Sequence, residues 1–161
     1  MALITNCPRG SEVILDDQCH IVQHESGAAS IIAGVQLRTI DAHGSILLPE
    51  SIESRVRTGE DIHEPKTSLI CLENAHSNGK VFSVEQMEQV RRCANRYHIP
   101  IHLDGARLFN ASVSLGIEAK ALTQHVDSVM FCLSKGLCAP VGSILAGSRK
   151  FIDQARRNRK L

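Results

Sequence analysis

Tryptophan is absent from these 161 residues, tyrosine occurs once and phenylalanine four times, so aromatic side chains supply only 3% of the chain. A core built from this composition must be aliphatic, made of Ile, Leu, Val and Ala. No apolar run approaches the ~20 residues of a membrane span. The first residues, Met1-Ala-Leu-Ile-Thr-Asn-Cys-Pro-Arg-Gly10, lack the basic start and long apolar centre of a signal peptide. The cysteines at 7, 19, 71, 93, 132 and 138 form no C-x-x-C pair and lack the close spacing of a disulfide framework. Cys71 and Cys132 fall inside apolar runs, where a free thiol packs as a small hydrophobe. A reducing compartment, most simply the cytoplasm, is the expectation.

Charge of one sign is also missing. The net charge is +1, which gives no reason to expect a polyanionic partner. The balance is uneven: Arg149 to Leu161 carries six basic residues against Asp153, or +5, and leaves the preceding 148 residues at −4. A basic tail can bind nucleic acid or anionic lipid. This one has a single aromatic residue, Phe151, and shows no clear basic repeat, so positions 149 to 160 read as the solvated face of a helix.

What is present is a 43% hydrophobic chain long enough for one globular domain with a sizeable core. Glu12 to Asp16, Val35 to Ile40 and Thr67 to Glu73 are short apolar or alternating runs of the kind that form strands. Leu48 to Thr58 opens with Pro49 near a helix start and sets Ile52 and Val56 one turn apart. Ser83, followed by Glu85, Glu88, Val90 and Cys93, predicts a capped helix from about 83 to 97. A strand at 100 to 103, a helix near 116 to 124, strands at 128 to 133 and 143 to 147, and a final helix complete the series. Met1 to Asn6 reads as the end of an amphipathic helix stopped by Pro8 and Gly10, and the last helix runs out without a cap. Residues 1–161 are therefore read as a single domain cut at both edges.

Strands alternating with helices predict an α/β, three-layer sandwich with a mostly parallel sheet. In such sheets ligands sit at the carboxyl ends of the strands. The polar clusters fall there: Glu73-Asn-Ala-His76 after one strand, Asp104-Gly-Ala-Arg107 after the next, and Ser134-Lys135 after the third. Each residue type has a chemical reason to be there. A lysine amine attacks an aldehyde only when unprotonated, a state that burial favours. A carboxylate beside a pyridine nitrogen keeps that ring protonated and electron-withdrawing. Lys135 and Asp104 suit these tasks, and Arg107 can hold a substrate carboxylate through two parallel hydrogen bonds. Taken singly, a lysine after a strand is usually a surface residue and Asp-Gly is usually a turn. Their order and spacing together outline a pyridoxal phosphate site.

Three segments carry a resemblance to a known family: Ile70-Cys-Leu-Glu-Asn-Ala-His-Ser-Asn-Gly-Lys-Val81, His102-Leu-Asp-Gly-Ala-Arg-Leu-Phe-Asn-Ala111 and Cys132-Leu-Ser-Lys-Gly-Leu-Cys-Ala-Pro-Val-Gly-Ser143. They resemble the L-threonine aldolases, pyridoxal 5'-phosphate lyases of the beta-eliminating lyase superfamily and the aspartate-aminotransferase fold class. Gly10 to Ile14 and His20 to Ala28 extend the likeness through nearly the whole chain. The resemblance implies that Lys135 forms the Schiff base with the cofactor, that Asp104 pairs with its pyridine nitrogen and that Arg107 binds the substrate carboxylate. It also implies that His20 stacks on the cofactor ring and that His76 handles the substrate hydroxyl. The implied reaction is retro-aldol cleavage of threonine or allo-threonine to glycine and acetaldehyde, in a homo-oligomer, dimer or tetramer, whose subunits share active sites. The family's phosphate loop and small carboxyl-terminal domain are expected to lie outside these residues. Two other readings stay open: another lyase of the superfamily with a different amino-acid substrate, and a non-catalytic remnant.

The remaining histidines carry no comparable signal. His98 and His102 have H-x-x-x-H spacing, but Pro100 and the strand pattern deny them a common helical face, so no metal site is expected. His24, His43, His63 and His125 read as surface or satisfied core residues. Gly79-Lys80 follows no glycine-rich loop and predicts no nucleotide site.

Overall fold

A computed structural model describes residues 1–42 and 44–160; His43, and with it the expectation for that histidine, lies outside the described residues. Six strands form one sheet: β1 (Glu12–Asp16), β2 (Gln36–Ile40), β3 (Thr67–Glu73), β4 (Ile101–Asp104), β5 (Ser128–Cys132) and β6 (Ser143–Gly147). Their spatial order is β2-β1-β3-β4-β5-β6. All neighbours are parallel except the β5–β6 pair.

The strand sequences explain this arrangement. All five residues of β1 are buried, as a central parallel strand covered on both faces requires. Glu12 is part of that strand and is neutralised by Arg57, whose Nη1 donates to its Oε2 at 2.9 Å, while Arg38 Nη1 stands 3.7 Å away. A buried carboxylate would otherwise be strongly unfavourable. Alternation divides the core in two. Ile14, Ile70, Leu72, Ile101, Leu103 and Val129 face one side, and Val13, Leu15, Leu69 and Cys71 face the other.

Helices cover both faces, giving the three expected layers. Over the first face lie α3 (Pro49–Glu53), α4 (Val84–Arg96), α5 (Leu108–Leu115) and α6 (Ala119–Thr123). Helix α4 presents Met87, Val90, Cys93 and Ala94 to the sheet and begins in a capping box, where Ser83 and Gln86 satisfy each other's main-chain N–H. Over the second face lie α1 (Ala2–Asn6), α2 (His20–Gln23) and a π-helical turn (Ala29–Ala33), and α7 (Arg149–Asn158) rests on α1 and β6.

Several elements differ from the sequence reading. The helix expected over 48–58 is helical only from Pro49 to Glu53. The helix near 116–124 is helical only from Ala119 to Thr123, as α6, and α5 before it has no counterpart in the sequence reading; Gly116, in a left-handed conformation (φ 65°), ends α5. Strand β6 has its expected limits but runs antiparallel at the sheet edge. All six cysteines are free, and among the described residues no helix is long and apolar enough to cross a membrane.

Candidate functional site

The carboxyl ends of β1, β3 and β4 each finish in an acid: Asp16, Glu73 and Asp104. Parallel pairing of neighbouring strands brings these ends to one edge of the sheet, and Glu73 pairs directly with Asp104, while the β1–β3 register shifts at Glu12 and Val13. Three neighbouring carboxylates of like charge need cations, amides or hydroxyls around them.

Asp104 is half-buried, and its Oδ1 accepts the main-chain N–H of Ala106 at 3.0 Å. Burial pushes its carboxyl above the ordinary aspartate range. The Ala106 amide opposes that rise, the charge of Glu73 adds to it, and His20 and Lys135 draw it back down. Asp104, Glu73, His20 and Lys135 therefore share one electrostatic neighbourhood. No donor among the described residues reaches Asp104 Oδ2. A carboxylate with one oxygen anchored and the other open suits the N–H of a protonated pyridine ring, so this residue fits the cofactor that the sequence suggested.

Lys135 departs from the sequence expectation in one respect. It lies three residues beyond the end of β5, in an exposed bend. The last three residues of β5 are only half-buried, because β5 is flanked by the exposed edge strand β6 and the chain leaves the sheet after Cys132. The lysine thus sits at the predicted strand end but is not enclosed by apolar side chains. Its position is fixed through the backbone: a Cβ on Gly136 would stand 2.5 Å from Asn110 Oδ1 of α5, so the loop lies directly on that helix.

His20 is the first residue of α2. Its amide donates to Glu73 Oε2 at 2.7 Å, and its Nδ1 lies 2.8 Å from Glu25 Oε1. The ring is partly accessible, and its centroid lies 5.2 Å from that of His24 with the two planes tilted at 53°.

His76 and Arg107 form a second grouping. Both line a cleft of about 290 Å³ with Ser77, Gly79, Asn110 and Ser114. His76 is only 2% exposed: its Nδ1 accepts the Asn78 N–H at 3.2 Å, and its Nε2 stands 3.0 Å from Asp16 Oδ2 in ion-pair contact, off the line of a hydrogen bond. His76 is thus buried in the wall of the cleft, with Nδ1 hydrogen-bonded and Nε2 beside the Asp16 carboxyl. The guanidinium of Arg107 has no ion-pair partner among the described residues, so it remains available to an anion. Asp104 instead opens on a larger groove of about 630 Å³, whose walls include His102, Met130, Ile144 and Arg156. Of the five predicted residues, Asp104 lines the larger groove and His76 and Arg107 line the cleft.

Glu73 belongs to this site and has no assigned role in the sequence reading, although an acid closing an otherwise apolar strand was visible there. Asp16 is the other addition, and nothing local in the sequence links it to His76. The two are 60 residues apart and meet only because β1 and β3 are adjacent.

Comparison with known proteins agrees with this geometry. The family profile described as Beta-eliminating lyase matches residues 1–161. Low-specificity L-threonine aldolase 1 of Arabidopsis thaliana is 46% identical over 166 aligned positions, covering 99% of this chain and 46% of the relative. A threonine aldolase structure from Leishmania major superposes with a TM-score of 0.86 at 21% identity, covering 99% of this chain and 47% of that one. An aspartate aminotransferase variant of Thermus thermophilus gives a TM-score of 0.72 at 14% identity, covering 99% and 43%. These two structural likenesses show the fold. The chain spans less than half the length of the proteins it matches.

Proposed function

The chain belongs to the beta-eliminating lyase family, and on that premise we propose that it carries the catalytic strand ends of a pyridoxal 5'-phosphate-dependent aldehyde-lyase. Its substrate on this reading is L-threonine or L-allo-threonine, cleaved by retro-aldol chemistry to glycine and acetaldehyde. The observation that supports the proposal is the electrostatic neighbourhood that Asp104, at the end of β4, shares with His20 and Lys135, which follow β1 and β5 on the same edge of the sheet, with Arg107 three residues beyond Asp104.

When bound, pyridoxal 5'-phosphate supplies the electron sink that accepts the pair released as the substrate Cα–Cβ bond breaks. The protein's task is to hold and orient. The Nζ of Lys135 is the amine that would hold the cofactor. Asp104 Oδ2 would accept the pyridine N–H and keep that proton in place, which favours charge developing on the ring. The planar imidazole of His20 would pack on the ring. Arg107 pairs with the substrate carboxylate, and His76 lines the wall of the cleft where the substrate hydroxyl would lie. Small amino acids are the partners expected of such a site. A homodimer or homotetramer and a cytoplasmic location belong to the same proposal, the latter supported by six unpaired thiols.

The test is direct. Adding pyridoxal 5'-phosphate should produce a visible absorbance band that Lys135→Ala lacks. L-Threonine, L-allo-threonine and phenylserine should then each be assayed for aldehyde release. A band identical in Lys135→Ala would overturn the cofactor assignment, and glycine formed without aldehyde would overturn aldol cleavage.

A further inference from the structure

We propose that Glu73 is a positioning residue of the cofactor site, holding His20 in place through its main chain and standing as a second negative group behind Asp104. The inference rests on the functional reading above and assigns a role to a residue outside it.

Glu73 ends β3 near the middle of the sheet and is 5% exposed. A carboxylate so buried persists only if its oxygens are occupied. Both are: Oε2 accepts the His20 N–H at 2.7 Å, and Oε1 accepts the Ser77 hydroxyl. The first bond crosses 53 residues of sequence. It serves an amide at the first turn of α2, where N–H groups have no partner within the helix. Cys19, the N-cap residue, offers no side-chain acceptor, so Glu73 supplies from the neighbouring strand what the local sequence does not.

His20 is thereby held at two points by two carboxylates, at its amide by Glu73 and at its ring by Glu25. With its backbone tied to the end of β3, the ring is confined relative to Asp104, the register partner of Glu73. Ring stacking needs a fixed plane, and that confinement is what a stacking imidazole requires. The same carboxylate adds negative potential beside Asp104, which favours a cationic group at Asp104 Oδ2. His76 Nε2 lies 3.9 Å from Glu73 Oε2, so Glu73 also links the cofactor side of the site to the Arg107 cleft.

Two substitutions separate the two contributions. Glu73→Gln keeps an oxygen for the His20 amide and removes the charge, whereas Glu73→Ala removes both. In the cofactor-free chain, hydrogen exchange at the His20 amide should be markedly faster in Glu73→Ala and close to wild type in Glu73→Gln. In cofactor titrations followed by the Lys135-dependent band, affinity should fall about tenfold or more in Glu73→Ala, the loss expected for one hydrogen bond to a charged group. Glu73→Gln should fall by a smaller factor. Wild-type affinity in Glu73→Ala would overturn the inference. If Glu73→Ala does not fold, wild-type affinity in Glu73→Gln overturns the electrostatic part, and fast His20 exchange in Glu73→Gln overturns the anchoring part. A wild-type chain with no Lys135-dependent band would instead count against the functional reading, while the exchange comparison would still judge the anchor.

Discussion

Glu73 and Asp104 face each other across the β3–β4 ladder as register partners, each the last residue of its strand. Burial pushes the Asp104 carboxyl upward, and the neighbouring Glu73 adds to that rise. The site is thus organised around a negative excess that a cationic ring would relieve.

That relationship makes Asp104 a liability in the cofactor-free protein. Its folded-state value is raised, so its contribution to stability is present below the unfolded aspartate value and is lost as pH rises through the folded one. Asp104→Asn keeps an oxygen for the Ala106 amide and cannot ionise. The cofactor-free variant should melt at a higher temperature than wild type at pH 7 and match it near pH 3. Cofactor affinity should move the opposite way, and a variant both less stable and unchanged in affinity would contradict this account.

His102 gives a second pH signature. Its ring lies on β4, 3% exposed, with Nδ1 2.9 Å from Ser128 Oγ, and burial is the main cause that lowers its value to about 4. The unfolded histidine takes up its proton first, near pH 6.5. Stability from this group is therefore complete above about pH 6.5 and is lost as pH falls towards 4, a change of roughly 3 kcal/mol. His102→Gln can still reach Ser128 and does not titrate. Its denaturant unfolding should be flatter than wild type between those limits, and equal slopes would remove His102 from the account.

Gly105 and Gly136 tolerate side chains to different degrees. A Cβ at 105 would stand 2.8 Å from the main-chain oxygen of Met130, which is held in the sheet and cannot yield. A Cβ at 136 would meet the side-chain oxygen of Asn110 instead. Gly105→Ala should cost about 2 kcal/mol or more in unfolding free energy. Gly136→Ala should cost less, yet shift the Lys135 loop and weaken the cofactor band, with recovery in the double variant Gly136→Ala, Asn110→Ala.

The thiols should sort by burial. Burial pushes Cys7 and Cys19 up to about 12 and Cys71 well above the ordinary thiol range, whereas Cys138 is exposed. Because the thiolate is the reactive form, mass spectrometry after brief alkylation at pH 8 should find Cys138 modified first. The other three should react only on unfolding.

The elements most legible in the sequence were those dictated by local pattern. Strands β1 and β3 and the capped helix α4 were readable because continuous apolar runs and a Ser-x-x-Gln start act over a few residues. Helix α5 was less so, since no side chain caps its start at Arg107 and only Gly116 marks its end. The short helix α2 was not legible at all, because the carboxylate that satisfies its first amide comes from β3. The antiparallel sense of β6 likewise depends on where the chain returns to the sheet, and its composition would suit either direction.

By itself the sequence determined the alternation of strands and helices, the aliphatic core and the identity of the groups at the strand ends: a lysine, an aspartate, an arginine and two histidines. These follow from short-range periodicity and side-chain chemistry. Only the tertiary structure decided which of them meet. Parallel pairing placed Asp16, Glu73 and Asp104 at neighbouring strand ends, buried His76 beside Asp16, left Lys135 exposed and tied His20 to Glu73. Each outcome depends on distances between residues far apart in the chain, which strand order and register fix and no local pattern encodes.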